Sequence, residues 1–561
     1  MGRAVGAPGG ATNVEGGGVT GYPYATDAAE FDLAVIGAGI NGVAIARDAA
    51  MRGLRVIVID KSDIGSGTTS RPTRLIHGGL RYLEHFEVPL VRESLHERNT
   101  LLRTAPHLVR PLHFLIPLYA AGSRSARIVR LGMVAYEVLS FGNAAVGHHR
   151  MLSAQETLHL APGLDPEGLR GGALYYDAQA VYPERLALEN ALSAREYGAL
   201  VLTYTRAEGF EVAADRAVAV RLREERTGRA STVRAAVIMN AGGPWADEVL
   251  AGLPGERPRL IGGTKGSHLI VGAFPGAPTM AVYTEATDNR PYFIVPWAGN
   301  YLIGTTDERF DGDPDEAIAT TEEIDYLIDS TNEAIPAAHL TRDDVQWTYS
   351  GVRPLPYEPG VPEAKVTRKH VFRQDERVRN IISVVGGKLT THRSLAEQAV
   401  DLVFELLGRR APRSRTADEP LPGGRTGDWD RFADGFRSLA GLPGDVTDHL
   451  LGVYGARAAD VLDYAATSER LRATVPGTST LAAEIPFAVR REMTTTLTDL
   501  YLRRTMLGVR GDLGLDTLDD VTGLAAACLG WDGARAAAEA GSYRQTVAHY
   551  HPGRISSGLS R

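Results

Sequence analysis

The fold of this chain follows from the stretch Phe31-Asp32-Leu33-Ala34-Val35-Ile36-Gly37-Ala38-Gly39-Ile40-Asn41-Gly42. Its first residues predict a short apolar strand, which a G-x-G-x-x-G loop follows. The residues from about Ile40 to Met51 then predict a helix, and Gly53 ends it. Residues 55–59 form a second apolar run, and Asp60 closes it. A strand, a glycine turn, a helix and a second strand ending on an acid make the dinucleotide-binding fingerprint, so the sequence predicts a Rossmann-type α/β domain.

Each residue of this fingerprint has a physical role. Gly37 permits the tight turn, Gly39 lets a pyrophosphate approach the backbone, and Gly42 lets the helix pack close to the strand. The phosphates sit at the helix N-terminus, where free N–H groups and the helix dipole favour anions. The carboxylate of Asp60 can accept two charge-assisted hydrogen bonds from a ribose diol. The loop by itself does not distinguish FAD from NAD. It also leaves open the alternative of a glycine-rich turn in an unrelated fold.

Length and composition bound the remaining possibilities. A chain of 561 residues is too long for one ordinary core, so two or three domains are expected. The net charge of −8 argues against bulk nucleic-acid binding but is compatible with a local cationic pocket. The single cysteine, Cys528, excludes intrachain disulfides and a cysteine-ligated metal cluster, and it fits a reducing compartment. No run of about eighteen apolar residues occurs, so we expect no helix that spans a bilayer.

The sequence predicts four parts. Residues 1–30 are rich in Gly, Ala and Thr and lack an apolar signal-peptide segment, so we expect a disordered tail. Residues 31–407 combine the Rossmann-type domain with β-rich runs between Leu269 and Gly304, which predict an interleaved antiparallel sheet. Residues 408–427 contain much Arg, Pro and Gly and predict a linker. Residues 428–561 predict a helical domain.

Three further segments carry a signal. Residues 62–84 are dense in Ser, Thr, Gly, Arg and His, and we expect them to wrap a ligand; the alternative is an exposed loop. Arg124 to Ser140 begins with arginines and is otherwise mostly apolar, so this predicted helix is either buried or lies on a membrane face. In the helical part, four residues spaced at i, i+4, i+7 and i+8 predict one apolar face: Met493, Leu497, Leu500 and Tyr501.

Several cations stand in glycine-rich or turn-rich contexts that suit an anion of phosphate size. They are Arg81, Lys265, Arg353, Arg368 and Lys388. Arginine forks suit bidentate phosphate recognition, and Lys388 precedes a predicted helix N-terminus, which also favours anions. Any one of these side chains taken alone is more often a solvated surface residue.

Seven motifs, in chain order, resemble those of the FAD-dependent glycerol-3-phosphate dehydrogenases and together cover about residues 31–400. They are Val35 to Gly42, Leu75-Ile76-His77-Gly78-Gly79-Leu80-Arg81-Tyr82-Leu83-Glu84-His85, Asn240-Ala241-Gly242-Gly243-Pro244-Trp245, Lys265-Gly266-Ser267-His268, Ile303-Gly304-Thr305-Thr306-Asp307, Trp347 to Leu355, and Gly386-Gly387-Lys388-Leu389-Thr390-Thr391. Phe487 to Thr505 resembles the helical C-terminal domain of that family.

The resemblance implies a glutathione-reductase-like FAD-binding domain, an interleaved substrate domain and a C-terminal helical domain. It implies non-covalent FAD and oxidation of sn-glycerol 3-phosphate to dihydroxyacetone phosphate, with hydride passing from C2 to flavin N5 and electrons passing to membrane quinone. The implied protein is cytoplasmic and peripheral on the inner, anionic face of the cell membrane. It binds no nucleic acid, and a homodimer is left open.

The resemblance also assigns residues. His268 and Arg353 are the implied catalytic pair, and Arg81, Tyr82, Arg368 and Lys388 would bind the substrate. The ordinary pKa of histidine suits His268 to act as a base, and Arg353 would stabilise the developing alkoxide. Which of the two accepts the C2 hydroxyl proton stays open at this point. The expected FAD contacts are Gly37, Gly39, Asn41, Gly42, Asp60, Thr68, Ser70, His77, Gly78, Gly79, Gly242, Gly387, Leu389 and Thr390.

The sequence departs from the family pattern at a few positions. Arg71 and Pro72 stand where relatives usually have small residues, and His392 stands where Tyr is common. Two other functions compete with the quinone-linked dehydrogenase. One is a glycerol-3-phosphate oxidase that uses oxygen and releases hydrogen peroxide, although the insertion usual in such oxidases is not evident. The other is a flavin- or NAD-binding regulatory protein without turnover.

Overall fold

The computed structural model describes residues 30–79, 87–120, 126–139, 147–286, 288–361 and 366–551. The predicted tail before Glu30, the predicted substrate residues Arg81 and Tyr82, and Arg124 at the start of the predicted amphipathic helix lie outside these residues.

The strands of the described residues, in chain order, are β1 (Glu30–Ile36), β2 (Val56–Ile59), β3 (Leu75–Ile76), β4 (Val109–Tyr119), β5 (Arg150–Ser153), β6 (Leu169–Ala180), β7 (Leu200–Leu202), β8 (Thr205–Ala213), β9 (Arg216–Glu224), β10 (Ala230–Asn240), β11 (Thr264–Val271), β12 (Ala281–Glu285), β13 (Pro291–Trp297), β14 (Asn300–Gly304), β15 (Glu308–Arg309), β16 (Val345–Arg353), β17 (Val371–Gln374) and β18 (Ile381–Val385).

The α-helices of the same residues are α1 (Ile40–Met51), α2 (Val88–Thr104), α3 (Ala126–Leu139), α4 (Ala154–Leu160), α5 (Pro183–Glu196), α6 (Ala246–Ala251), α7 (Thr321–Ala334), α8 (His392–Leu406), α9 (Trp429–Leu439), α10 (Gly444–Tyr454), α11 (Ala458–Ala465), α12 (Glu469–Arg472), α13 (Glu484–Arg491), α14 (Leu497–Asp499), α15 (Leu518–Leu529) and α16 (Gly533–Ala548).

The first sheet has the spatial order β17-β18-β10-β1-β2-β7. Strands β18, β10, β1, β2 and β7 run parallel, and β17 is antiparallel to β18. The buried residues of β1 and β2 form continuous apolar runs, as strands covered on both faces require. Helix α1 packs between α5 and α8 on one face, which buries a core of aliphatic side chains. This is the predicted Rossmann-type α/β domain.

The second sheet follows the order β15-β11-β14-β13-β12-β4-β6-β3, with β16 beside β11 and β5 beside β6. Its pairs are antiparallel with one exception: β12 runs parallel to β4, where Ala281 faces Phe114. The predicted antiparallel sheet is therefore a mixed sheet. Strands β3, β4 and β6 come from the chain before residue 200, whereas β11 to β16 come after residue 260, so the two sheets are interleaved in sequence as predicted.

The C-terminal part is helical and shares one apolar core with the second sheet. Met493, Leu497, Leu500 and Tyr501 are all buried, but they do not lie on one regular helix. Helix α13 ends at Arg491, Met493 has a φ of +57°, and a π-helix from Leu500 to Arg504 follows α14. The expectation of one helical face was therefore correct about burial and wrong about the backbone.

Residues 408–427 run along the first domain and are held there by polar contacts. The Ser414 hydroxyl donates to Asp48 Oδ1 of α1 at 2.5 Å, and the Gly423 N–H donates to Glu189 Oε2 of α5 at 2.9 Å. Leu421 belongs to the apolar core around α1. The helical part is thus joined to the Rossmann-type domain through a segment that is itself packed.

Candidate active site

The glycine loop forms a cradle that no side chain could enter. Gly37 has a φ of +107°, and a Cβ placed on it would lie 2.4 Å from the carbonyl oxygen of Ala241. A Cβ on Gly42 would lie 1.9 Å from the carbonyl oxygen of Gly37. Both distances are far below contact, so these glycines hold β1, α1 and the end of β10 together. The N-terminus of α1 consequently faces an open groove, where its first N–H groups favour an anion.

Asp60 closes β2 at the edge of the same groove. Its carboxylate accepts hydrogen bonds from the N–H groups of Ala38, at 2.5 Å, and Ser62, at 2.8 Å. Burial raises the pKa of this carboxyl group. Two carboxylate oxygens offer about four acceptor positions, so the two backbone bonds leave capacity for the hydroxyls of a ribose.

A cavity of about 660 Å³ runs from Asp60 past the glycine loop to the second sheet. Most predicted cofactor contacts line it: Gly37, Gly39, Asn41, Asp60, Thr68, His77, Gly242, Gly387, Leu389 and Thr390. Gly42, Ser70, Gly78 and Gly79 are not part of its wall. The Ser70 hydroxyl donates instead to the carbonyl of Gly65 at 2.6 Å, and the Gly78 N–H donates to the Tyr136 hydroxyl at 2.8 Å. These residues shape the loop next to the cavity.

Three predicted cations line the far end of the cavity: Arg353, Arg368 and Lys388. Arg353 Nη1 donates to Asp307 Oδ1 at 2.9 Å, and Arg368 Nη2 donates to Asp307 Oδ2 at 3.2 Å. The carboxylate of Asp307 therefore holds two guanidinium groups in a fixed relation. Lys388 Nζ donates to Ser94 Oγ at 3.2 Å. Among the described residues, these three cations and the carboxylate of Asp307 form one cluster, and such an arrangement suits a phosphate dianion.

Glycine again makes room at this end. A Cβ on Gly266 would lie 2.2 Å from Arg353 Nη2 and 2.4 Å from Thr305 Oγ1. Arg353 Nη2 donates to that threonine hydroxyl at 3.0 Å. Because Gly266 on β11 has no side chain, the guanidinium group of Arg353 on β16 can extend across the sheet toward the cavity wall.

His268 lies on β11 and faces the cavity with its ring stacked on Tyr349, at 4.7 Å between centroids. Its Nε2 is 2.9 Å from Thr73 Oγ1. Its Nδ1 is buried and has no hydrogen-bond partner among the described residues. Burial, and then the positive charge of Arg353, lower the pKa of His268 well below its ordinary value. The imidazole is therefore neutral at physiological pH.

His77 is a second neutral imidazole in the wall. Burial lowers its pKa to about 3, with a further contribution from Lys388 and Arg368. Its backbone N–H donates to Thr390 Oγ1 at 3.2 Å. His77 lines the same cavity as Arg368 and Lys388, whose positive charges also disfavour its protonation.

Three residues that contact the predicted site had no role predicted from the sequence. Asp307 pairs with two of the predicted cations, Thr73 meets the ring of His268, and Tyr349 stacks on that ring. Asp307 ends one of the quoted motifs and lies in the short connection between β14 and β15, and its place in that motif was the available signal. Nothing in the spacing of Thr73 or Tyr349 connects them to His268, because they lie 195 and 81 residues away along the chain.

Comparison with known proteins gives the family. The sequence matches the profile described as FAD dependent oxidoreductase over residues 32–402, and the profile described as the C-terminal domain of alpha-glycerophosphate oxidase over residues 414–536. It is 46% identical over 516 residues to the glycerol-3-phosphate dehydrogenase of Synechocystis sp., with 89% of this chain and 93% of the relative covered. The chain belongs to the FAD-dependent glycerol-3-phosphate dehydrogenase family.

Other members and structures agree with this assignment. The aerobic glycerol-3-phosphate dehydrogenase of Staphylococcus aureus is 32% identical, with 85% of this chain and 86% of the relative covered. The structure of the glycerol-3-phosphate dehydrogenase from Bacillus halodurans, complexed with FAD, is similar with a TM-score of 0.77 at 27% identity, covering 93% of this chain and 95% of that one. An L-alpha-glycerophosphate oxidase from Mycoplasma pneumoniae shares the fold, with a TM-score of 0.55 at 18% identity over 70% of this chain and 99% of that one.

FAD is the cofactor of this family enzyme, and the described residues fit it. The cradle at Gly37 and Gly42 leaves room for a pyrophosphate, and the carboxylate of Asp60 lies at the edge of the same groove. The choice between FAD and NAD, which the glycine loop left open, is settled in favour of FAD by the family.

Proposed function

We propose that this enzyme oxidises sn-glycerol 3-phosphate to dihydroxyacetone phosphate. The observation that carries the proposal is the Arg353–Asp307–Arg368 cluster with Lys388 at one end of a cavity whose other end has the dinucleotide fingerprint. A phosphate dianion matches these cations, and the glycerol moiety would then extend toward His268. The relatives from Synechocystis and Staphylococcus aureus are named for the same substrate.

The residues divide the chemistry between them. Arg368 and Lys388 bind the phosphate, together with Arg81 and Tyr82, which lie outside the described residues. Bound FAD would supply the hydride acceptor. His268 and Arg353 serve the carbon that is oxidised, where a hydroxyl proton must leave and negative charge develops on oxygen.

Of this pair, His268 is the base in our proposal. A guanidinium group remains protonated at physiological pH and Arg353 donates its N–H groups to Asp307 and Thr305, so it acts by stabilising the alkoxide. Burial lowers the pKa of His268 well below its ordinary value, and a neutral imidazole carries a lone pair on one of its two ring nitrogens. We propose that Nε2, which lies 2.9 Å from Thr73 Oγ1, accepts the proton of the substrate hydroxyl, since Nδ1 is buried and has no hydrogen-bond partner among the described residues.

Bleaching of the flavin colour tests substrate and reaction together. The purified enzyme should be yellow, and sn-glycerol 3-phosphate should bleach it under anaerobic conditions, whereas glycerol should do so poorly. A non-catalytic flavin-binding protein would remain yellow with both compounds.

Variants of the cationic end test the assignment of residues. Arg353→Ala and Lys388→Ala should each lower kcat/KM by about a hundredfold or more, the scale of removing one buried charged contact of roughly 2–5 kcal/mol. Lys369→Ala is the matched control, because Lys369 is exposed, neighbours Arg368 in sequence and does not line the cavity. An equal loss in the control and in Lys388→Ala would contradict the phosphate site.

We further propose membrane quinone as the electron acceptor. The relative from Staphylococcus aureus is named an aerobic dehydrogenase, and α3 supplies a surface that suits a bilayer. The competing oxidase would reduce oxygen. Stopped-flow reoxidation of the reduced enzyme should be much faster with a soluble quinone analogue than with air-saturated buffer, and the reverse order would favour the oxidase.

Helix α3 has two different apolar faces. Val129, Met133 and Tyr136 are buried in the core, whereas Ile128, Leu131, Val134 and Val138 are 60%, 72%, 45% and 66% exposed. Arg127 and Arg130 are exposed on the same helix. No helix of the described ranges is both long enough and apolar enough to cross a bilayer. An exposed apolar stripe with neighbouring arginines suits the headgroup boundary of an anionic membrane, so we propose peripheral attachment through α3 on the cytoplasmic face.

A sedimentation assay with anionic vesicles tests this attachment. The combined variant Leu131→Ser, Val138→Ser, Arg127→Gln and Arg130→Gln should remain in the supernatant while keeping activity with a soluble dye acceptor. Leu439→Ser is the control, because Leu439 is an apolar side chain that is 87% exposed on a different helix, α9. Unchanged vesicle binding of the α3 variant would contradict the proposal.

A further inference from the structure

The nucleotide end of the cavity is bordered by two loops of the first sheet that are bonded to each other. One follows β2 and contains Asp60 and Ser62; the other joins β7 to β8 and contains Tyr204. The Tyr204 N–H donates to the Ser62 carbonyl at 3.0 Å, and the Thr205 N–H donates to the Asp60 carbonyl at 2.7 Å. The position of Asp60, the expected ribose partner, is thus tied to the conformation of the Tyr204 loop.

The C-terminal domain holds the Tyr204 loop. The Tyr204 hydroxyl donates to Asp499 Oδ1 at 2.5 Å and lies 3.2 Å from Thr496 Oγ1. Tyr204 itself has a φ of +51°, a left-handed conformation that a non-glycine residue keeps only where its surroundings impose it. Because its ring also lines the cavity, the bond to Asp499 fixes part of the cofactor wall from outside the Rossmann-type domain.

The same C-terminal segment holds the loop after β2. Asp63 accepts from Arg503 Nε at 2.5 Å and from Arg504 Nη2 at 2.8 Å, and Arg503 Nη2 donates to Asp499 at 2.9 Å. All four side chains are buried. Asp499 and Asp63 therefore belong to one buried ion-pair group. Through it, residues 496–504 hold the loop after β2 across 440 residues of sequence and the Tyr204 loop across 295.

This segment also forms part of the cavity surface. Thr496, Thr498, Leu502 and Arg503 line the cavity together with Asp60 and Tyr204. We propose that residues 496–504 are a part of the FAD site, which we call the C-terminal clamp, and that Tyr204 and Asp499 are positioning residues that set how long the nucleotide half of FAD remains bound. The inference rests on FAD as the family's cofactor and assigns a role to the C-terminal domain.

Tyr204→Phe tests the clamp, since it keeps the aromatic ring and removes only the hydroxyl that reaches Asp499. The rate of FAD release from the holoenzyme, followed by the rise in flavin fluorescence on dilution, should increase about tenfold, the scale of one charge-assisted hydrogen bond. Tyr454→Phe is the matched control. The Tyr454 hydroxyl donates to Glu484 Oε2 at 2.9 Å, both residues belong to the C-terminal domain, and Tyr454 does not line the cavity. Both variants should lower Tm, but only Tyr204→Phe should accelerate release.

A second pair of variants applies if Tyr204→Phe does not fold. Leu502→Ala truncates a half-buried side chain of the cavity wall, and Leu515→Ala truncates a half-buried side chain of the same domain outside the cavity. FAD release should be faster in Leu502→Ala than in Leu515→Ala by about threefold or more, as for partial loss of one apolar contact. Release rates within twofold of each other in each pair would overturn the proposal. Since FAD itself is measured, a failure of glycerol 3-phosphate to bleach the enzyme would leave this result unaffected.

Discussion

Replacing Asp307 by Asn gives a sharp test of the cationic end of the site. The side chain keeps its shape but loses the charge that holds two guanidinium groups, through contacts of 2.9 Å to Arg353 and 3.2 Å to Arg368. Asp307 and its partners are 20% to 25% exposed, so each charge-assisted bond contributes about 1–1.5 kcal/mol, below the range for fully buried bonds. If the loss of both bonds raises the activation free energy by about 2–3 kcal/mol, kcat should decrease by roughly 30- to 160-fold.

The effect on KM should be different in kind. Asp307→Asn removes a negative charge from a cavity that we expect to bind a dianion, so KM for glycerol 3-phosphate should not rise. Steady-state kinetics with a soluble dye acceptor separate the two parameters. Asp311→Asn is the control, because Asp311 pairs with Arg259 on the surface. A raised KM with unchanged kcat in Asp307→Asn would refute the reasoning that Asp307 positions Arg353 for chemistry.

Three further predictions concern the cradle, the buried histidines and the buried ion pairs. Gly42→Ala should abolish FAD binding, because the added methyl group would lie 1.9 Å from the Gly37 carbonyl oxygen; a variant purified with full flavin absorbance would contradict this. Burial lowers the pKa of His77 to about 3 and that of His392 to about 4, below the value of about 6.5 expected after unfolding. Between these values the unfolded chain binds more protons than the folded one. The free energy of unfolding should therefore fall as pH drops from about 6.5 to about 4, by up to ~2.7 kcal/mol per pH unit for two protons. Urea titrations across that range measure the slope, and a flat profile would mean that these imidazoles are not buried and neutral. Glu492→Gln should lower the free energy of unfolding by about 3–5 kcal/mol, because it leaves buried arginines without their carboxylate, and a loss below about 1 kcal/mol by the same titration would count against a buried network.

Local patterns predicted the elements that are built from neighbours in sequence. Helix α1 spans Ile40–Met51, the bounds that the glycine loop and Gly53 indicated. Ser153 and Glu156 have the S-x-x-E spacing of a capping box and form one, with the Glu156 N–H donating to the Ser153 hydroxyl at 3.2 Å. Residues 226–229, Arg-Thr-Gly-Arg, form the turn between β9 and β10, as their glycine favours. Hydrogen bonds within a helix, cap or turn link residues about two to four positions apart, and side-chain periodicity records them.

The regions where prediction failed are those where a distant partner determines the backbone. The predicted helical face through Met493 is interrupted next to Glu492, whose carboxylate accepts from Arg185 of α5 at 2.6 Å. That buried bond joins residues 307 positions apart and leaves no periodic trace in either segment. For the same reason, the parallel pairing of β12 with β4 was not visible in the run of β-rich residues.

The Rossmann-type domain, the FAD family and ten of the fourteen predicted cofactor residues that line the cavity could be read from the sequence, since the glycine motifs keep fixed spacings along the chain. Only the tertiary structure brought Asp307 between Arg353 and Arg368, set Thr73 against His268, and joined Asp63 to Arg503. Each of these contacts links side chains from different sheets, loops or domains. Their energy depends on distance and burial in three dimensions, which local spacing in the sequence does not encode.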